Sequence, residues 1–278
     1  MMSPNTNLKR FDSPEEYAAY VAAIPSYLHS DAPTSFAGQY VSEGCRTLRE
    51  GDTSRLAQAQ AIMAKLDVEY PFAMNVPVLE PCVAGFIPNV PAAISGHPEA
   101  MFRRGFVESP SVNSPLSVYV ETTVSAGLSQ EQLINRGVCI LAFVLAMEMI
   151  RPVDLYIANH HSHSKKPGVY GYLVKIASRP MDMGRAVWML TDPTMARRLF
   201  HTTINDLSGA NRQCGVGPWS WNERPGSAEY QQKTREFFNL SPDDVFMYGG
   251  HLFDELMLNN PVAWVKQMIE KHNGTQGE

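Results

Sequence analysis

One stretch constrains this chain more than any other: the thirteen residues Val138–Ile150 are apolar apart from Glu148. The run is too short to cross a bilayer, which takes roughly 20 apolar residues. It therefore predicts a helix buried in a protein core, extending from Ser129 to Ile150. Alternation flanks it on both sides. Leu116, Val118, Val120, Thr122 and Val124 alternate with Ser117, Tyr119, Glu121 and Thr123, the period of a half-buried strand. Val153, Leu155 and Ile157 repeat that period beyond the helix. Strand, long helix and strand make a βαβ unit, whose parallel crossover is right-handed. Val169–Ala177 reads as a third strand, joined to the second by a polar loop as a hairpin.

Helical patterns surround this centre. Ser13-Pro14-Glu15-Glu16 is a capping box with proline at the first helical position, opening a helix that ends near Ile24-Pro25. A second helix is predicted from Phe36 to Glu50, stopping at Gly51. A third places Leu56, Ala59, Met63 and Leu66 on one face. Asp182 and Asp192-Pro193 are start signals for two short helices, and two more are expected near Ala228–Phe238 and Pro261–His272. Residues 208–228, rich in glycine and proline, read as a long loop. The expected fold is one α+β domain over residues 1–278. It has a helical part at 1–70, a mixed β-sheet core at 71–180 and a helical part at 181–278.

Composition narrows the class. Apolar residues make up 44% and charged residues 18%, which is globular rather than disordered. The first residues carry no apolar segment of the secretory kind. Cys45, Cys82, Cys139 and Cys214 are widely spaced and form no CxxC pair, so free thiols in a reducing, cytoplasmic setting are expected. Charge is uneven. Residues 101–240 hold 15 Lys and Arg against 11 Asp and Glu, while both flanks are acidic. A basic middle points to an anionic partner.

Catalytic motifs are missing from the sequence. It has no GxSxG elbow and no HExxH, and Gly215-Val216-Gly217 lacks the strand and the Gly-Lys-Ser/Thr of a phosphate loop. His160, His161 and His163 could contribute to a divalent-metal site, but such a site needs further ligands. The expected reading is a solvated hairpin loop, with no catalytic residue, no metal and no cofactor. Basic residues interleaved with aromatics are more informative, because single-stranded nucleic acid is held by a positive groove and by aromatic faces on which bases stack. Lys165, Lys166 and Lys175 accompany Tyr170 and Tyr172, although alternation puts both tyrosines on the face of Val174 and Ile176. Arg212, Trp219, Trp221 and Arg224 share the long loop, and Arg103-Arg104 and Arg197-Arg198 are paired charges.

The segments Phe11-Asp-Ser-Pro-Glu-Glu-Tyr17, Gly85-Phe-Ile-Pro-Asn-Val-Pro91, Gly96-His-Pro-Glu-Ala-Met101 and the Arg136-Gly137 helix with its following strand suggest a family. Over residues 11–160 the chain resembles the single-stranded-DNA-binding RNA polymerase cofactors of lytic phages. That resemblance implies a fold unlike the OB-fold, self-association, and recruitment of a phage polymerase to melted promoters in the host cytoplasm. The chain departs from typical single-strand binders in ending Glu270-Lys-His-Asn-Gly-Thr-Gln-Gly-Glu278 rather than in a long acidic tail. The expectation is a non-enzymatic single-stranded DNA-binding protein contacting DNA through Arg103, Arg104, Lys165, Lys166, Lys175, Arg212, Trp219, Trp221 and Arg224. Its rivals are a metal-dependent hydrolase or nuclease built on the histidines, and a phage interaction protein that does not bind DNA.

Overall fold

The computed structural model describes residues 7–67, 78–84, 87–88, 90–105, 115–123, 127–163, 166–176, 181–209, 227–249 and 255–273. Its centre is the predicted βαβ unit. Strand β5 (Leu116–Val120) leads through α6 (Gln130–Glu148) to β6 (Val153–His163), which lies parallel to it with Tyr119 opposite Tyr156. The predicted hairpin follows, with β7 (Lys166–Ile176) antiparallel to β6. Two outer strands complete a five-stranded mixed sheet: β1 (Leu8–Phe11) parallel to β7, and β8 (Val245–Met247) parallel to β5. The strand order is β1-β7-β6-β5-β8. With its helices the molecule is α+β, as the sequence predicts. A separate three-stranded antiparallel sheet joins β2 (Val78–Cys82), β3 (Ile87–Pro88) and β4 (Met101–Gly105), with α5 (Val90–Ile94) between β3 and β4.

The main sheet is covered on both faces. Val118, Val120, Leu155, Ile157, Val174 and Ile176 point to one side, where α6 lies. Around α6 sit α4 (Leu56–Asp67), α7 (Met183–Thr191), α10 (Glu255–Asn259) and α11 (Pro261–Asn273). From Val138 to Met147 helix α6 is apolar all round, as suits a helix that other elements surround. Its Ser129 N-cap and Gln132 form a reciprocal capping box. The alternate residues, among them Ala158, Leu173 and Phe246, face the other way and are covered by Tyr230, Phe237 and Phe238 of α9 (Ala228–Phe238). Helices α1 (Pro14–Ala23) and α3 (Val41–Glu50) pack together at the N-terminal end, and Ser13 caps α1 as its sequence predicts.

Several sequence expectations are corrected. The helix predicted over Phe36–Glu50 is two helices, α2 (Thr34–Ala37) and α3, separated at Gly38. Gly38 has φ 72° and lies against Thr194, so a side chain there would be strained and crowded. Strand β5 ends at Val120, before Glu121. Beyond Pro193 the chain forms a π-helical segment, Thr194–Leu199, that runs directly into α8 (Phe200–Ser208). The histidine segment is not a solvated loop: β6 continues through it to His163, and His160 and His161 are buried. No helix among the described residues is long and apolar enough to cross a membrane.

Candidate functional site

Strand β5 is where the chain turns both ways. Helix α6 carries it to β6 on one side, and the later chain returns as β8 on the other. In sheets of this kind ligands bind outside the carboxyl ends of the strands that flank such a reversal. Here those ends carry a buried polar cluster.

Glu121, directly after β5, is fully buried. Its Oε2 accepts the Gly249 amide of the segment following β8 at 2.7 Å. Its Oε1 accepts the Tyr230 hydroxyl of α9 and the Thr123 hydroxyl, each at 3.3 Å. Gly249 must be glycine, because a β-carbon there would collide with the Thr123 carbonyl oxygen. Burial pushes the Glu121 carboxyl up to about 7, against those hydrogen bonds and the field of Arg136. Burial likewise lowers the Arg136 guanidinium to about 10; one of its nitrogens donates to the carbonyls of Met247 and Tyr248.

Asn159 of β6 ties the same edge together. Its Oδ1 accepts the Thr122 and Thr123 amides at 2.9 and 3.3 Å, and its Nδ2 donates to the Tyr172 hydroxyl at 2.9 Å. Tyr172 stacks on Tyr17, whose hydroxyl pairs with that of Thr203 at 3.0 Å. His160 points to the α9 side. Its ring lies 5.8 Å from that of Tyr230, and its Nε2 is 3.2 Å from the Thr234 hydroxyl. Burial holds His160 down to about 3, so its imidazole is neutral and its 3.9 Å approach to Glu121 is not an ion pair.

The expected contact residues fall into three groups. Arg103 and Arg104 lie on β4, with Arg103 opposite Glu80, in the small sheet. Lys175 is on β7 opposite Tyr156, four residues and so about 13 Å from the level of His160. It meets Asp154 at 3.6 Å and sits 5.6 Å above the Tyr156 ring, itself stacked on Tyr119. Of the third group only Lys166 is among the described residues. Lys166 begins β7, opposite His163, three residues beyond His160. Lys165, Arg212, Trp219, Trp221 and Arg224 lie outside the described residues, as does most of the 208–228 loop. Of that loop, Ser227 caps α9 three residues before Tyr230. Arg197 and Arg198 are buried and donate to the carbonyls of Phe36, Leu128, Gln39 and Ser30, which fastens the chain around α2 and the segment before α6 to the π-helical turn.

The chain belongs to the DUF7192 family. Residues 2–242 match that family's model, which is described as a domain of unknown function. No curated protein and no solved structure matches the chain. The DUF7192 match includes Glu121, Asn159 and α9 and ends before β8, so the Gly249 amide that holds Glu121 comes from outside the matched residues.

Among the described residues no group of three or more His, Cys, Asp or Glu side chains is arranged to hold a metal ion. A polar groove of about 350 Å3, lined by Thr34, Gln39, Glu43, Arg55, Gln130 and Asp192, opens on the helical side. It carries charges of both signs, and Arg55 and Asp192 meet at 3.5 Å. Glu121, Arg136 and Asn159 escape a reading by motif. Their signal is position: Glu121-Thr122-Thr123 is a polar triplet at the carboxyl end of the first strand of a βαβ unit.

Proposed function

We propose that this protein is a non-catalytic single-stranded DNA-binding protein that takes its ligand at the carboxyl edge of the sheet. One observation carries the reading. Lys166, which begins β7, and Ser227, which caps α9 directly after the tryptophan-bearing sequence 210–226, both lie at that edge. His160 and Tyr230 are in ring contact at 5.8 Å. His163, opposite Lys166, lies three residues beyond His160, about 10 Å along an extended strand. Ser227 precedes Tyr230 by three residues, about 5 Å along a helix. Positive charge beside aromatic faces is what single-strand binding requires, and Lys165, Lys166, Arg212, Trp219, Trp221 and Arg224 supply both residue types in the sequence next to these two points. On the family resemblance, the proposal extends to self-association and to recruiting a phage RNA polymerase.

The histidine-based hydrolase finds less support. His160 is buried among the rings of Tyr230, Phe237 and Phe238, and among the described residues it belongs to no group of three or more His, Cys, Asp or Glu side chains arranged to hold a metal. The test is a mobility-shift titration with single-stranded DNA, duplex DNA and RNA across a salt series. Preference for the single strand, with affinity falling steeply as salt rises, is expected. Equal affinity for duplex, or no dependence on salt, refutes the proposal.

A further inference from the structure

We propose that the polar groove on the helical side binds a zwitterionic small molecule, a free α-amino acid with a neutral polar side chain, held by Arg55 at its carboxylate and by Glu43 at its ammonium group. The site is separate from the carboxyl edge of the sheet and does not rest on the DNA-binding reading. At about 350 Å3 the groove falls within the size range of small-molecule sites. It forms where the α2–α3 turn meets the residues that open α4 and α6 and those that follow α7. Its walls are tied together before any ligand arrives. The Gln39 amide donates to the Thr194 hydroxyl at 2.9 Å, and Asp192 Oδ1 accepts the Thr194 amide at 2.8 Å. Gln130 Nε2 donates to the Ser35 carbonyl at 2.7 Å. A site preformed in this way spends little binding energy on ordering itself.

The charges in the groove choose the ligand class. Arg55 is fixed at one nitrogen: its Nη1 donates to the Thr191 hydroxyl at 3.1 Å and meets Asp192 Oδ2 at 3.5 Å. No described residue accepts from its Nε or Nη2. Those two nitrogens share the guanidinium edge that takes a carboxylate through two parallel hydrogen bonds. Glu43 is the opposite pole. Its Oε2 accepts the Tyr40 amide at 3.2 Å, and among the described residues no lysine or arginine pairs with it. Since Asp192 already offsets Arg55, Glu43 is the charge in excess, an acceptor for an ammonium group. The bond from Gln130 Nε2 to a carbonyl fixes that amide, which leaves Gln130 Oε1 as a second acceptor. A simple anion would face Glu43 and Asp192, and a simple cation would face Arg55. A zwitterion satisfies both poles. Pro193 is the one apolar side chain in the lining, beside the hydroxyl of Thr34 and the amide of Gln39, which favours a polar ligand side chain over an aliphatic one.

Ligand titration of the full-length protein followed by nuclear magnetic resonance tests the site, with L-glutamine, N-acetyl-L-glutamine and L-glutaminamide as probes. L-glutamine should bind. The acetylated compound lacks the cation and the amide lacks the carboxylate, so each should bind about tenfold more weakly or worse. Arg55→Lys keeps the charge but loses the paired donors, and should weaken L-glutamine about tenfold. Glu43 is exposed, so Glu43→Gln should fold as the parent does. That variant should weaken L-glutamine about tenfold and bind N-acetyl-L-glutamine no less well than the parent. Absence of binding by L-glutamine, L-asparagine and L-serine at about 10 mM overturns the proposal. So does N-acetyl-L-glutamine binding as tightly as L-glutamine, which would make the groove a plain anion site. Unchanged L-glutamine affinity in both variants also overturns it, by placing the ligand elsewhere. If Arg55→Lys does not fold, Glu43→Gln decides, and unchanged affinity in that variant alone is enough to reject the site.

Discussion

Gly137 of α6 lies so close to the backbone of Leu190 in α7 that a β-carbon at 137 would overlap the Leu190 carbonyl oxygen. The two helices approach through this contact, and the Thr191 side chain closes on the same spot. Gly137→Ala should gain about 1 kcal/mol from helix propensity. Against that stands overpacking of a fully buried seam, which costs typically 1–3 kcal/mol and more where backbone must move. The expected result is a lower thermal midpoint, measured by circular dichroism. A variant as stable as the parent would show that α6 and α7 can part at little cost.

Some of this architecture is legible in the sequence, and the reason is local. The apolar run around Ile140, the alternation of Leu116–Val120 and the hairpin after Ile157 all express a period that neighbouring residues carry themselves. What escapes depends on elements far away in the chain. Glu121 falls on the polar half of its strand's alternation and reads as solvent-facing, yet α9, more than a hundred residues later, covers it. His160 and His161 read as loop because they are polar. The strand continues because Thr234 and the ring of Tyr230 supply His160 with partners that no local window contains. Gly38 breaks a helical pattern because Thr194 occupies the space a side chain would need.

Asn159 gives a test of the edge as a structural unit. It satisfies two successive amides, of Thr122 and Thr123, that would otherwise be buried without partners just beyond β5. Removing one partner of a buried donor costs about 1–3 kcal/mol, so Asn159→Ala should lose roughly 2–4 kcal/mol in denaturant titrations. Tyr172→Phe deletes the hydroxyl that pairs with Asn159 and with Tyr17 and should cost about 1–2 kcal/mol, leaving the two Thr amides satisfied. Equal effects for the two variants would contradict this division of roles.

Acid stability follows from groups shifted in opposite directions. Burial depresses His160 to about 3 and His201 to about 4, so each contributes stability that is present above the unfolded value near 6.5 and lost as pH falls through its folded value. Glu121 is raised to about 7 by burial, so its contribution is full below the unfolded value of 4.5 and is lost as pH rises through 7. Between pH 6.5 and 4.5 the two histidines and Glu121 therefore oppose one another, each on the order of 1.4 kcal/mol per pH unit. The parent should lose stability gently across that window. Glu121→Gln removes the opposing contribution and should make the loss steeper. Urea midpoints at half-unit intervals measure both slopes, and parallel slopes would rule the account out.

The binding surface is tested by setting edge residues against one that lies elsewhere. Lys166 begins β7 opposite His163, next in sequence to Lys165, while Trp219 and Trp221 precede the Ser227 cap of α9 in sequence. Lys175 lies about 13 Å down the sheet, committed to Asp154 and Tyr156. A base stacked on an indole contributes about 1–3 kcal/mol, so Trp219→Ala or Trp221→Ala should weaken oligonucleotide affinity roughly tenfold, with little change in thermal midpoint. Intrinsic tryptophan fluorescence of the parent should be quenched on titration with oligonucleotide. Glu at both Lys165 and Lys166 should weaken binding and reduce its salt dependence, since phosphate contacts are lost. Lys175→Ala should bind as the parent does. The pattern matters more than any single value: if Lys175→Ala is the variant that loses affinity and the tryptophan and turn variants keep it, the ligand lies on the sheet face beside Tyr119 and Tyr156 and not at its carboxyl edge. If instead the tryptophan variants lose about 3–5 kcal/mol of stability, as truncation of a core aromatic does, the indoles are structural anchors and the turn lysines carry the contact alone.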